Sequence, residues 1–212
     1  MIELYCAGQS LDKNFQDWSA QIGLIEKGSQ SEEEIKERFG NPHLSQNEAD
    51  LWAVLLNKRG YIMGMYEIMD HWAERRSNKK VPESADVKQY ISYLRKRSDD
   101  PGIIHTARGF GYGVDIDAVH YRYTGGYLLQ KFFWEFNRWV RKETLAQYLW
   151  SEETFKEPQI RQEISYLNSL LRPKGLHILN SRFATEGYRD GVSRDGFYKL
   201  TEDHQDHLRK VA

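Results

Sequence analysis

The stretch VKQYISYLRKR, residues 87–97, carries five side chains suited to gripping a polyanion: Lys88, Gln89, Ser92, Arg95 and Lys96. Their separations of three and four residues place them on one face of a helix, opposite Val87, Ile91 and Leu94. Lysine and arginine neutralise phosphates, a basic side chain suits guanine, and glutamine offers adenine an acceptor and a donor side by side. Arg97 extends the basic end of this helix, and Lys79 and Lys80 precede it in the polar segment SNKKVPE. Next, GIIHTARGFGYGV, residues 102–114, sets His105, Thr106 and Arg108 among β-branched residues, aromatics and glycines. A phosphate-cradling glycine loop would need a helix after Gly113 to aim backbone N–H groups, and no helical pattern follows. Gly109, Gly111 and Gly113 instead predict a short β-hairpin with Arg108 at its tip.

These side chains need a scaffold, and the residues around them supply one. LSQNEADLWAVLLNKRG predicts a helix with Ser45 as N-cap, Glu48 completing a capping box, Leu51, Val54 and Leu55 inward, and Gly60 as its stop. YIMGMYEIMDHWAERR predicts a second, burying Met65, Ile68, Met69 and Trp72, a methionine stripe that reads as core rather than cofactor pocket. SADVKQYISYLRKRS, with Ser84 as N-cap and Asp86 in the first turn, is the third. DDPG, residues 99–102, breaks the chain before the hairpin. Three short helices and a glycine-rich hairpin make a winged helix, its third helix suited to the major groove and its hairpin, the wing, to the backbone or minor groove.

On these residues the segment resembles the C-terminal effector domains of OmpR/PhoB-type response regulators, which run through an I-x-x-L-R-K helix and an I-x-T-x-R-G-x-G-Y wing. Ile91, Leu94, Arg95 and Lys96 match the first pattern, and Ile104, Thr106, Arg108, Gly109, Gly111 and Tyr112 match the second. The resemblance covers about residues 44–114 and implies DNA binding. GQSLDKNF, residues 8–15, resembles the start of that family's small N-terminal sheet, while residues 23–43 depart from it. The 43 residues ahead of Leu44 are too few for a receiver module, so phosphorelay control is not carried over.

The pattern recurs in the second half. ISYL stands at 91–94 and again at 164–167, and LAQYLW at 145–150 falls where EIMDHW lies at 67–72. Aligning the halves puts Leu129 on Leu51, Phe132 on Val54, Phe133 on Leu55, Trp139 on Tyr61 and Trp150 on Trp72. PQIRQEISYLNSLLRPKG parallels the basic helix, burying Ile160, Ile164 and Leu167 and setting Arg161, Gln162 and Ser165 where Lys88, Gln89 and Ser92 stand. HILNSRFATEGYRDGVSRDGFYKL predicts a longer second wing whose tip carries Arg182, Arg189 and Arg194. Asn168-Ser169 replace Arg95-Lys96, which weakens the second copy's claim on DNA. Between the copies, VDIDAVHYRYTGGYL alternates like strands and ends in Gly125-Gly126, predicting a small sheet that opens the second unit. The expected fold is α+β: two tandem winged helix-turn-helix domains, residues 1–114 and 115–212, each with a small antiparallel sheet, three helices and a β-hairpin wing.

Charge and composition narrow the classes. Net charge is −1, unusual for a nucleic-acid binder, but residues 1–43 hold 8 acidic and 4 basic side chains while 44–114 hold 9 and 11. The acidity gathers in SQSEEEIKERF, read as a helix start with Ser31 as N-cap and Glu32–Glu34 favoured by the helix dipole. One cysteine, Cys6, excludes an internal disulfide, and no apolar run approaches the roughly 18 residues of a membrane helix. The start MIELYCAGQSLDKNF has neither a basic n-region nor an apolar core for export, so a cytoplasmic location is expected. In KFFWEFNRWV the aromatics Phe132, Phe133, Phe136 and Trp139 fit a buried helix face, leaving Trp134 without a role. His204 and His207 lie one turn apart with no further ligand, a tail rather than a metal site. No nucleophile, base and acid come together, so no enzyme activity, cofactor or metal is expected. The expectation is a nucleoid-associated transcriptional regulator on double-stranded DNA with two related half-sites, either a monomer with internal pseudo-symmetry or a homodimer. The alternatives are a plasmid- or phage-type replication initiator, and an interaction module docking on RNA polymerase, a nuclease or another regulator.

Overall fold

In the computed structural model, which describes residues 11–76, 81–149, 157–181 and 196–202, the apolar stripes of the sequence become helices with buried inner faces. The described residues divide into two compact units, one running to His120 and the other starting at Tyr121.

The first unit opens with α1 (Lys13–Gln21), β1 (Ile25–Lys27) and α2 (Glu32–Phe39). Its three central helices are α3 (Gln46–Asn57), α4 (Met65–Arg75) and α5 (Ser84–Arg97), and the hairpin is β3 (Ile104–Ala107) with β4 (Gly111–Val114). Leu51, Val54, Leu55, Ile68, Trp72, Val87, Ile91 and Leu94 meet in one core that Ile104 and Val114 close from the hairpin side. Burying a leucine- or isoleucine-sized side chain stabilises by about 1.5–3 kcal/mol, so these positions govern how α5 sits. The capping box expected at Ser45 forms, Ser45 N donating to Glu48 Oε2 at 2.7 Å, and the N-cap expected at Ser31 is part of a second box, Ser31 N donating to Glu34 Oε2 at 2.7 Å. Phe39 stacks on Trp52 at 3.9 Å between centroids, seating α2 on a side of α3 outside the expected stripe.

Several expectations are corrected. The described part of GQSLDKNF, residues 11–15, leads into α1 rather than a sheet, because the Asp12 side chain accepts Phe15 N at 3.0 Å and Phe15, Gln16 and Ser19 turn inward. Ser84 is the first helical residue of α5 rather than its cap; Glu83 takes the cap position and its N–H donates to Asp86 Oδ2 at 2.9 Å. Met63–Gly64, read as helix, forms a two-residue strand, β2, against Gly111 and Tyr112, giving the sheet order β2-β4-β3. The linker also differs. Residues 116–119 form β5, antiparallel to β1 with Ile25 opposite Val119, and so complete the first unit instead of opening the second. Gly125 and Gly126 lie inside a helix, since Tyr127, Leu128, Leu129 and Phe132 form a continuous buried face that a turn would expose.

The second unit runs α6 (Tyr123–Trp134), β6 (Val140–Arg141), α7 (Lys142–Leu149), α8 (Glu157–Leu171), β7 (Leu176–Asn180) and β8 (Phe197–Glu202), with sheet order β6-β8-β7. Ile160, Ile164 and Leu167 are buried on α8. Phe132 is buried and Phe133, Phe136 and Trp139 half-buried, whereas Trp134 stays 48% exposed with its ring edge against Tyr148. Trp150, the tip of the second hairpin, and His204 and His207 fall outside the described residues. Among the described residues no helix is long and apolar enough to cross a membrane, and no cluster of three or more metal-ligating side chains occurs.

Candidate nucleic-acid interface

With Val87, Ile91 and Leu94 anchored in the core, α5 has one orientation left, and it exposes Lys88, Gln89, Ser92 and Lys96 together. Arg95 differs from these four. Its Nη2 donates to the Ile104 carbonyl and to Thr106 Oγ1, both at 2.6 Å, and the guanidinium lies 5.8 Å from the Tyr112 ring centre. Arg95 and Thr106 therefore tie the helix to the first wing strand and set the angle between the two surfaces.

Arg97 is likewise held by the protein. Its Nε pairs with Glu48 Oε1 at 2.7 Å and its Nη1 donates to the His43 carbonyl at 2.9 Å. Glu48 is 2% exposed at the start of α3, and its other oxygen accepts from Ser45 N and Ser45 Oγ, each at 2.7 Å. Burial alone would raise the Glu48 pKa, but the Ser45 hydrogen bonds and the Arg97 charge outweigh it and hold the carboxyl below its ordinary range. A carboxyl depressed in the fold stabilises above its unfolded pKa, and that contribution is lost as pH falls through the folded value. Glu48→Gln is expected to cost about 1–3 kcal/mol near neutral pH, with the gap from wild type closing on acidification. Urea unfolding across a pH series reads this directly.

The wing is shaped by glycine at two positions. Gly109 has φ +83° at the turn beside the exposed Arg108, and Gly111 has φ +157°, with its missing Cβ replaced by the Met63 carbonyl of β2. Phe110, between them, is buried and anchors the hairpin end. His105 is half-buried: burial first, and the Arg95 charge second, push its imidazole below its usual pKa, while Asp117 acts the other way. At pH 7 it is thus a neutral hydrogen-bonding group rather than a cation. Between α4, α5 and the wing lies a groove of about 440 Å³ lined by Tyr66, Met69, Lys88, Thr106, Phe110 and Tyr112. Tyr66, 59% exposed, lines this groove, and Tyr93, 38% exposed, stands beside Gln89 on α5, although their residue type reads as core. For Tyr93 the available signal was its spacing of four from Gln89, whose Nε2 donates to Tyr93 Oη at 2.5 Å.

In the second unit Arg161, Gln162 and Ser165 are exposed together on α8. Asn168 turns toward the second hairpin, donating Nδ2 to the Ile178 carbonyl at 3.0 Å and accepting from Ile178 N at 2.6 Å. It thus makes the helix-to-wing link that Arg95 makes in the first unit, with a shorter neutral side chain. Ser169 Oγ donates to the Tyr166 carbonyl at 2.6 Å. A groove of about 540 Å³ separates α8 from the hairpin, lined by Arg161, Ser165, Asn168, Arg172, His177 and Tyr198. Lys79, Lys80, Arg182, Arg189 and Arg194 fall outside the described residues.

Residues 40–114 match the family model described as "Transcriptional regulatory protein, C terminal". That span takes in α3 to β4, so this part of the chain is similar to the winged-helix domains of the OmpR/PhoB type, a kind that binds double-stranded DNA in transcription regulators. No curated protein matches the chain, and no solved structure does.

Proposed function

We propose that the chain is a sequence-specific, double-stranded DNA-binding transcriptional regulator with two winged-helix domains in tandem, joined near residues 114–121. The observation that carries this reading is the exposed Lys88, Gln89, Ser92 and Lys96 face, on a helix whose angle to the wing is set by Arg95. In it α5 enters the major groove, Lys88 and Lys96 meet phosphates, Gln89 reaches a base edge, and Arg108 on the wing meets the backbone or the minor groove. The tandem arrangement is supported by the shared order of helix, short strand, two helices and hairpin, and by sheets in which the last strand is central, β2-β4-β3 and β6-β8-β7. Two such heads in one chain suit related half-sites about one helical turn apart.

In vitro selection of the full chain on random duplex DNA, repeated at several salt concentrations, tests the proposal. The expected result is a motif with two related half-sites and an affinity that falls steeply with salt. Salt-erased binding with no motif would overturn it. A second reading, in which the second unit docks on a protein such as RNA polymerase, is favoured by Asn168 and Ser169, polar side chains engaged within the protein where the first unit has Arg95 and Lys96. Arg161→Glu with Gln162→Ala separates the two: loss of one half-site assigns the second unit to DNA, and an unchanged motif assigns it to a protein.

A further inference from the structure

We infer that Tyr93 is a specificity-determining positioning residue, holding Gln89 in the pose in which its amide reads adenine. The inference rests on the DNA-binding reading above and concerns one pair of side chains on the exposed face of α5. A glutamine on an open helix surface samples many rotamers, and reading a base requires one of them. Here the choice is made in advance by the 2.5 Å hydrogen bond from Gln89 Nε2 to Tyr93 Oη, one turn further along the helix.

Tyr93 can do this because it is itself held. Its ring meets Tyr90 edge-on at 5.7 Å and 71°, and Tyr90 meets Trp72 edge-on at 5.0 Å and 68°. Trp72 is fully buried, and its indole N–H donates to the Asn47 carbonyl at 3.2 Å, while Asn47 Nδ2 donates to Tyr90 Oη at 3.3 Å. An aromatic ladder thus runs from the core of the unit to the surface that faces DNA. Edge-to-face pairs of this kind are favoured geometries, so the phenol is anchored rather than free in solvent.

The chemistry left on Gln89 identifies the ligand. A carboxamide has two N–H donors and a carbonyl with two lone pairs. Tyr93 accepts from one N–H, and the amide keeps a second N–H and its carbonyl oxygen. An adjacent donor and acceptor is the complement of adenine N7 and N6–H₂ in the major groove, whereas guanine presents two acceptors there.

Tyr93→Phe tests the inference because it removes the hydroxyl and keeps the ring ladder. Wild type is expected to select adenine at one position of the half-site, by roughly tenfold or more over the other bases. Tyr93→Phe should reduce that preference severalfold while leaving the affinity for unrelated duplex, the salt dependence and the melting temperature unchanged. Gln89→Ala should abolish the same preference, and adding Tyr93→Phe to it should change nothing further. Full adenine preference in Tyr93→Phe overturns the inference, as does an equal loss on all sequences, which would make the hydroxyl a phosphate contact. A wild-type chain that selects no motif overturns the DNA-binding reading itself, so the two failures are told apart.

Discussion

Lys88→Glu together with Lys96→Glu is expected to weaken duplex binding by about 100-fold or more near physiological salt, while leaving thermal stability within about 0.5 kcal/mol of wild type. Both side chains are exposed on α5, so the fold does not depend on burying them. Each phosphate neutralised by the protein contributes close to one unit to the slope of log affinity against log salt, so losing two contacts should flatten that slope by about 2. Arg95 and Arg97 are left in place because their guanidinium groups hold the wing strand and Glu48, and replacing them would confound binding with folding. Fluorescence titration of a labelled duplex at two salt concentrations gives affinity and slope from the same samples. Unchanged affinity would transfer the binding to another surface of the chain.

Gly111→Ala is expected to be the most damaging single methyl group in the first unit, at about 3 kcal/mol or more. The residue sits at φ +157°, and a Cβ there would run into the carbonyl oxygen of Met63 on the neighbouring strand. Backbone cannot step aside as a flexible side chain can, and Gly111 is paired with Gly64 in the register that attaches the wing to β2. Gly109→Ala meets the left-handed turn at φ +83° and should cost about 1–2 kcal/mol. Urea unfolding of the full chain should move the transition of the first unit for Gly111→Ala and leave that of the second in place. A shift no larger than that of Gly109→Ala would show that the β2 contact yields, and that the wing is less rigidly attached than the register implies.

Much of the scaffold was legible in the sequence because its signals are local. Leu51, Val54 and Leu55 on α3, and Val87, Ile91 and Leu94 on α5, are buried as their spacing predicts, since helical periodicity is set within a few turns. The N-cap at Ser31 and the capping box at Ser45 need only residues a few positions apart, and both form. The glycines of the hairpin likewise signal a turn locally, without reference to a partner strand.

What escaped the sequence depends on partners far along the chain. A two-residue strand such as β2 has no periodicity to detect, and it exists because Gly111 lets the backbone of β4 come close to Met63. β5 joins β1 far along the chain, Ile25 opposite Val119, a pairing invisible to alternation alone. Arg95, Lys96 and Arg97 read as three equivalent cations, and only the folded chain separates them: carbonyl oxygens at Ile104 and His43 and the buried carboxylate of Glu48 claim the two arginines, while Lys96 stays exposed. For α3 and α5 the helix and the face it buries are thus legible from the chain, because apolar spacing and caps act over a few residues, whereas α1 and the start of α6 are not. Which charges remain available to a ligand is set by the folded chain, because a charged group is satisfied by whichever partner the fold brings within hydrogen-bond reach.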